Sequence, residues 1–242
     1  MVRHILCLLF LLLLAENTFA KQLYFGAPNE IVAWKISCKK VDSGSIVRKK
    51  NNWIFKTSKN YCAGGEWKQR AEIISVYALS TRTAAKYNFQ SFFDMESSSF
   101  WAEYDKNEKF DIFQIHDGRM GCAPPLKVNI QKDGRIKLRG DYKLGPGENC
   151  IYDIIKSTGR GSTKILRDGT KYKLNVILDF DGNGNFKVKV FINDNYEVSG
   201  EYRFQEDKGY IKSRYFAFKH GVYSRNIFPY VLNSIMTMER IN

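Results

Sequence analysis

Once its first twenty residues are set aside, the chain has little histidine, little proline and no long apolar run. Of three histidines only His116 and His220 then remain, which excludes a histidine-rich metal centre. Five prolines and no low-complexity segment exclude a collagen-like or disordered chain. No stretch repeats apolar residues at the helical period, so a helical bundle is excluded too. No later segment is apolar for long enough to span a membrane. No Cys-x-x-Cys occurs, which argues against zinc, and no cofactor motif is found. Negative charge is also scarce: Asp+Glu number 25 against 38 Lys+Arg, giving a net charge of +13. Such a balance suits a polyanionic partner, although a lysine-rich face kept for solubility would give the same number.

The chain opens with Met1-Val2-Arg3-His4, an apolar run from Ile5 to Ala15, and Asn17-Thr18-Phe19-Ala20. A basic start, a short apolar stretch and a small closing residue predict a signal peptide over residues 1–20, cut near Ala20. The mature chain, 21–242, is then exported, extracellular or periplasmic, and is expected to be a single domain and a monomer. Cys7 leaves with the leader, and Cys38, Cys62, Cys122 and Cys150 remain. Four cysteines in an exported chain predict two disulfides with three possible pairings; proximity favours Cys38–Cys62 and Cys122–Cys150.

Short alternating segments recur between Gly, Asn and Asp turns. Expected strands include 30–36, Trp53–Phe55, Tyr87–Phe93, Phe110–His116, Leu126–Ile130, Ile136–Leu138, Tyr172–Leu178 and Phe186–Ile192. Asp179-Phe180-Asp181-Gly182-Asn183-Gly184-Asn185 has oxygen ligands at alternate positions, like the start of a calcium loop. Val190 stands where the late glutamate belongs, so a hairpin turn explains it better. Arg48-Lys49-Lys50 reads as a basic turn rather than a nucleic-acid patch, and no nucleic-acid module is present. The pattern predicts an all-β chain, a sandwich or jelly roll of two antiparallel sheets.

Gln114 and His116 are two apart on one expected strand and so share a face, an amide beside an imidazole. Arg70 and Glu72 do the same. In the last such stretch Tyr215, Ala217 and Lys219 share one face, with Phe216, Phe218 and His220 on the other. Arg70-Ala71-Glu72, Gln114-Ile115-His116, Pro124-Pro125-Leu126 and Phe218-Lys219-His220-Gly221-Val222-Tyr223, in this order, resemble the motifs of the jelly-roll polysaccharide lyases: alginate lyases, glucuronan lyases and the heparin lyase I group. The likeness implies a jelly roll with a concave substrate groove and cleavage of a uronate polymer (glucuronan, alginate or a glycosaminoglycan) by β-elimination. One departure stands out. Ala217 occupies the position of the family's first tyrosine, which in alginate lyases looks catalytic.

The expected chemistry follows from the substrate. The proton at C5 of a uronate is barely acidic because its neighbour is already an anion, so donors must neutralise that carboxylate. Gln114 and Arg70 are the candidates, with His116 as base near neutral pH and Tyr215 or Tyr223 as acid. Glu72, Lys219 and Arg225 are candidates for holding the anionic chain. A glycoside hydrolase would need paired carboxylates, and no Glu-x-Asp-x-x-Glu strand occurs. The competing expectation, supported by Ala217, is an acidic-glycan-binding jelly roll that has lost its acid.

Overall fold

The computed structural model describes residues 33–37, 41–57, 69–119, 121–147, 149–152 and 155–241. The expected leader, Cys38, Cys62 and the start of the strand expected at 30–36 lie outside them. Among the described residues the strands, in chain order, are β1 (Trp34–Ile36), β2 (Ile46–Lys49), β3 (Asn52–Lys56), β4 (Gln69–Ser75), β5 (Leu79–Ser80), β6 (Ala84–Ser97), β7 (Phe110–His116), β8 (Leu126–Ile130), β9 (Ile136–Arg139), β10 (Tyr142–Lys143), β11 (Cys150–Ile151), β12 (Lys156–Ser157), β13 (Tyr172–Asp181), β14 (Phe186–Ile192), β15 (Asn195–Tyr202), β16 (Tyr215–Ser224) and β17 (Tyr230–Arg240). No helix among them is long and apolar enough to cross a membrane.

Two large antiparallel sheets form. One has the order β1-β4-β16-β7-β8-β9, with β5 also paired to β16. The other runs β12-β15-β14-β13-β6-β17-β3-β2. Neighbours distant in sequence lie side by side, as β6 does between β13 and β17, which is the connectivity of a jelly roll rather than a meander.

Alternation explains the layers. In β13, Tyr172, Leu174, Val176, Leu178 and Phe180 are buried while the residues between them are open. β14 repeats this with Phe186, Val188, Val190 and Ile192. From the opposite sheet come Phe113, Ile115, Leu126, Val128, Phe216 and Phe218, so the core is rich in aromatic rings. Phe89 and Phe113 meet across the sheets with centroids 4.6 Å apart. Hairpin chemistry supplies the turns: Asp181 Oδ1 accepts the backbone N–H groups of Asn183 and Asn185, closing the turn between β13 and β14. Arg48 and Lys49 end β2, and only Lys50 and Asn51 form the basic turn.

His220 is wholly buried. Its Nδ1 lies 2.8 Å from the Ile112 carbonyl and its Nε2 2.8 Å from Ser234 Oγ. A carbonyl only accepts, so the ring proton is on Nδ1 and Ser234 donates to Nε2. Ser234 in turn meets Ser91 at 2.8 Å, and this chain of bonds ties the two sheets together through the core. Burial pushes the His220 pKa down to about 4, so the ring is neutral.

Cys122 and Cys150 form a disulfide, as sequence proximity favoured. It joins the loop after β7 to β11. That loop is also held from within: Arg119 pairs with Asp117 and gives its N–H groups to the Ile211 carbonyl and to the Tyr202 hydroxyl, while Ser213 donates to Asp117 at 2.8 Å.

Candidate active site

The outer face of the smaller sheet carries the sequence-predicted residues. Arg70 and Glu72 come from β4, Lys219 and Tyr223 from β16, Gln114 and His116 from β7. Strand pairing sets Tyr223 opposite Arg70, Gly221 opposite Glu72, Lys219 opposite Gln114 and Ala217 opposite His116. Gly221 has φ +137°, and a Cβ there would lie 2.3 Å from the Ala71 carbonyl, so only glycine lets β16 lie against β4 beneath the site.

The cluster has a floor and an open layer. Glu72 is 1% exposed, Gln114 2% and Lys219 4%. Gln114 Nε2 donates to Glu72 Oε1, and Glu72 Oε2 lies 3.4 Å from Arg70 Nε and 4.0 Å from Lys219 Nζ. Burial raises the Glu72 pKa, against the pull of Lys219 and Arg70. Burial lowers that of Lys219 to about 8, opposed by Glu72 and aided by the Arg70 and Lys127 cations. Burial also works to lower that of Arg70, but Glu72 and Tyr223 outweigh it and the guanidinium stays charged. These placements revise two expected roles. Glu72 is buried, with Oε1 on the Gln114 amide and Oε2 toward Arg70 and Lys219, which leaves it no open surface for a sugar. The Gln114 amide is committed in part to Glu72, which limits it as a donor to substrate.

The open layer consists of Arg70, whose side chain is 23% exposed, with half-buried His116, Tyr215 and Tyr223. The Arg70 guanidinium sits 4.6 Å from the Tyr223 ring centroid, and Lys127 Nζ lies 5.1 Å from the same ring. His116 Nδ1 accepts the Gly118 N–H at 3.1 Å, which leaves the proton of the neutral ring on Nε2. Burial, then the Lys219, Arg70 and Arg119 cations, push the His116 pKa down to about 3. The reference value near ~6.5 that made it a base at neutral pH therefore does not hold in this fold. Gly118 also has φ +73°, and a Cβ there would come within 2.6 Å of the Tyr215 hydroxyl, so Tyr215 packs over that turn, beside His116. The two tyrosines thus stand at opposite ends of the row. Arg225 lies past the end of β16, exposed, at the border of the face.

Three residues of this face were missed. Asp111 is buried, pairs with Lys127 at 2.8 Å and accepts from Asn129 at 2.7 Å. Period-two counting puts Asp111 with Phe113, in the core. The pairing of β7 with both neighbours slips at Ile112, which turns Asp111 to the same side as Gln114. Lys127 and Asn129 were legible, since they alternate with Leu126, Val128 and Ile130.

Among the described residues no group of His, Cys, Asp and Glu is arranged to hold a metal ion. A cleft of about 540 Å³ lies elsewhere, on the larger sheet, lined by Asp179, Asp181, Lys187, Glu201 and Arg203. Within it Arg203 and Glu201 pair at 2.9 Å, and Asp181 accepts from Asn185.

No family model matches the chain, and no curated protein matches it by sequence. Solved structures do match by shape. Alginate lyase A1-II', a member of polysaccharide lyase family-7, superposes with a TM-score of 0.54 over 86% of this chain and 95% of that one, at 13% identity. The chain has the fold of the jelly-roll polysaccharide lyases. Alginate lyase AlyC3 in complex with dimannuronate gives 0.52 at 11% identity, covering 88% of each chain. The exolytic family-7 alginate lyase AlyA5 from Zobellia galactanivorans gives 0.51 at 11% identity, covering 85% of this jelly roll and 94% of its own chain.

Proposed function

We propose that this protein is an exported polysaccharide lyase that cleaves a uronate-containing polymer by β-elimination on the outer face of the smaller sheet. The observation that carries the reading is the placement of Arg70, Tyr223 and His116 above a buried Glu72–Gln114–Lys219 floor. The motif resemblance and the lyase fold support it, and the alginate lyase neighbours make an acidic polysaccharide the natural ligand class.

In this mechanism the Arg70 guanidinium and the His116 Nε2–H hold the substrate carboxylate, so that charge building on it as the C5–H bond breaks is met by fixed donors. Tyr223, whose ring lies near the Arg70 and Lys127 cations, is the base: with its own proton already lost to solvent, its oxygen takes the C5 proton. The C5–H electrons form the C4–C5 double bond, the C4–O bond breaks, and the Tyr223 phenol returns its proton to the leaving oxygen. Glu72 and Gln114 keep Arg70 and Lys219 in place. Tyr223 is preferred to Tyr215 because both its cationic neighbours belong to the cluster.

The test is release of ultraviolet-absorbing unsaturated uronate from a panel of glucuronan, alginate, heparin and hyaluronan. Tyr223→Phe is expected to lower the rate on the preferred polymer by about a thousandfold, and Tyr215→Phe by less than about tenfold. The reverse order would move the proton transfer to Tyr215. Binding with no product on any polymer would favour the non-catalytic glycan-binding reading that Ala217 suggests.

A further inference from the structure

β7 ends at His116, and the chain turns at once through Asp117 and Gly118. His116 lies in the open layer, whereas Asp117, the next residue, is 2% exposed. Donors surround the Asp117 carboxylate. Oδ1 accepts the backbone N–H of Arg119, two residues on, at 3.2 Å, which closes an Asx turn. Oδ2 pairs with the Arg119 guanidinium and accepts from Ser213 Oγ at 2.8 Å. Arg119 is itself fixed by the Ile211 carbonyl at 2.9 Å, the Tyr202 hydroxyl at 3.3 Å and the Asp141 carbonyl at 3.5 Å. Burial raises the Asp117 pKa, against the pull of Arg119 and Ser213. A buried ion pair is weak evidence of a gain in stability, because desolvation offsets its attraction. What this pair does fix is a conformation. The turn holds Gly118 at φ +73° and aims the Gly118 N–H at His116 Nδ1, 3.1 Å away. Ser213 stands two residues before Tyr215, so the same carboxylate also seats the Tyr215 ring against Gly118.

We infer that Asp117 is a positioning residue for His116: its carboxylate holds the turn whose Gly118 N–H occupies Nδ1, and so keeps the ring proton on Nε2. This rests on the lyase reading for the use made of that proton, which is to hold the substrate carboxylate. A neutral imidazole can carry its proton on either nitrogen. With a donor seated on Nδ1, the Nε2–H form is the one that remains, and it donates to a carboxylate. Once the turn opens, the ring is free to carry the proton on Nδ1 and to set a lone pair against the anion, which repels it. Asp117 is buried and acts through Gly118 rather than on the sugar. The other anchors of this loop, the Cys122–Cys150 disulfide and the bond from the Ala123 N–H to Asp141, hold it further along the chain.

The experiment is nitrogen-15 NMR of the His116 ring in the full exported chain, with the rate on the preferred polymer measured in the same samples. His220, whose proton is on Nδ1, supplies the reference signal for the opposite form. In the parent the His116 proton is expected on Nε2; a proton on Nδ1 would overturn the inference without any variant. Asp117→Ala with Arg119→Met removes both members of the buried pair, so that no charge is left alone. It is expected to show both ring forms in exchange, with kcat lower by about tenfold to a hundredfold and a smaller change in KM. Cys122→Ser with Cys150→Ser loosens the same loop elsewhere. It is expected to lower the melting temperature while leaving the proton on Nε2 and the rate within about twofold. An equal effect of the two double variants on the ring would mean that any loosening of the loop suffices, and would overturn the assignment to Asp117. So would an unchanged ring in the folded Asp117→Ala, Arg119→Met protein. Ser213→Ala takes away one bond and leaves the ion pair, which keeps the test open if that double variant does not fold. Ring exchange and a rate about threefold lower are expected, both restored by Ser213→Thr; a ring and rate like the parent's would overturn the inference. An Nε2–H ring in a parent that forms no unsaturated product would leave the role of the turn standing and overturn the elimination reading.

Discussion

The two outer faces of this sandwich are built from the same strand geometry and treat charge in opposite ways. On the larger sheet the ion pairs sit near water, such as Lys173 with Asp194 at 2.8 Å, and amides bridge neighbouring strands, as Gln90 does to Asn175. On the smaller sheet Glu72, Lys219, Asp111 and Lys127 are buried and share partners. Taking ions out of water costs several kcal/mol each before pairing returns any of it. That the smaller sheet carries this cost beneath a partly exposed arginine, imidazole and phenol fits the elimination proposed for that face. The two histidines repeat the contrast. His220 spends both ring nitrogens on core partners, while His116 spends one and keeps the other N–H facing the open layer.

The contrast sets the size of mutational effects. Glu72→Ala leaves Arg70 and Lys219 without their shared carboxylate in a buried setting, and is expected to cost about 3–5 kcal/mol in urea unfolding. Asp194→Ala removes the exposed partner of Lys173 and is expected to cost less than about 1 kcal/mol. Equal effects would erase the distinction between the faces.

An effect close to the lower end of that expected for Glu72→Ala comes from pH. The His220 pKa is about 4 in the folded chain, against an ordinary value of about 6.5. As pH falls through that window the unfolded chain takes the proton first, so stability that is fully present above about 6.5 is lost progressively toward 4. The loss amounts to about 3 kcal/mol. His116, lowered to about 3, acts in the same direction. Unfolding free energies at pH 7 and pH 4.5 are expected to differ less in His220→Asn than in the parent; an unchanged difference would remove His220 as the source.

Much of this was legible in the sequence, because alternation is a local property. Phe110–His116 and Leu126–Ile130 came out with the expected bounds, and His220 faces the core beside Phe216 and Phe218 as period two requires. β6 was seen only in its centre, since Ala84 to Lys86 and Asp94 to Ser97 carry weaker apolar signals at the strand ends. β17 mixes Asn233, Ser234 and Thr237 among its apolar residues, and its place between β6 and β3 is a long-range choice. In the site, the face-sharing of Arg70 with Glu72 and of Gln114 with His116 could be counted along single strands. The slip at Ile112 that turns Asp111 toward the site could not, because it depends on three strands at once. Nor could the roles of Glu72 and His116, which burial and neighbouring cations decide.

The central claim is that the outer face of the smaller sheet performs elimination on a uronate polymer. Its most direct test is the ultraviolet absorbance of unsaturated product formed by the parent and by His116→Ala, with binding and melting followed in the same samples. The account predicts product from the parent, and in the variant a rate about a hundredfold to a thousandfold lower with fold and polymer binding kept. Full activity in the variant, or no product from the parent on any uronate polymer, would contradict it.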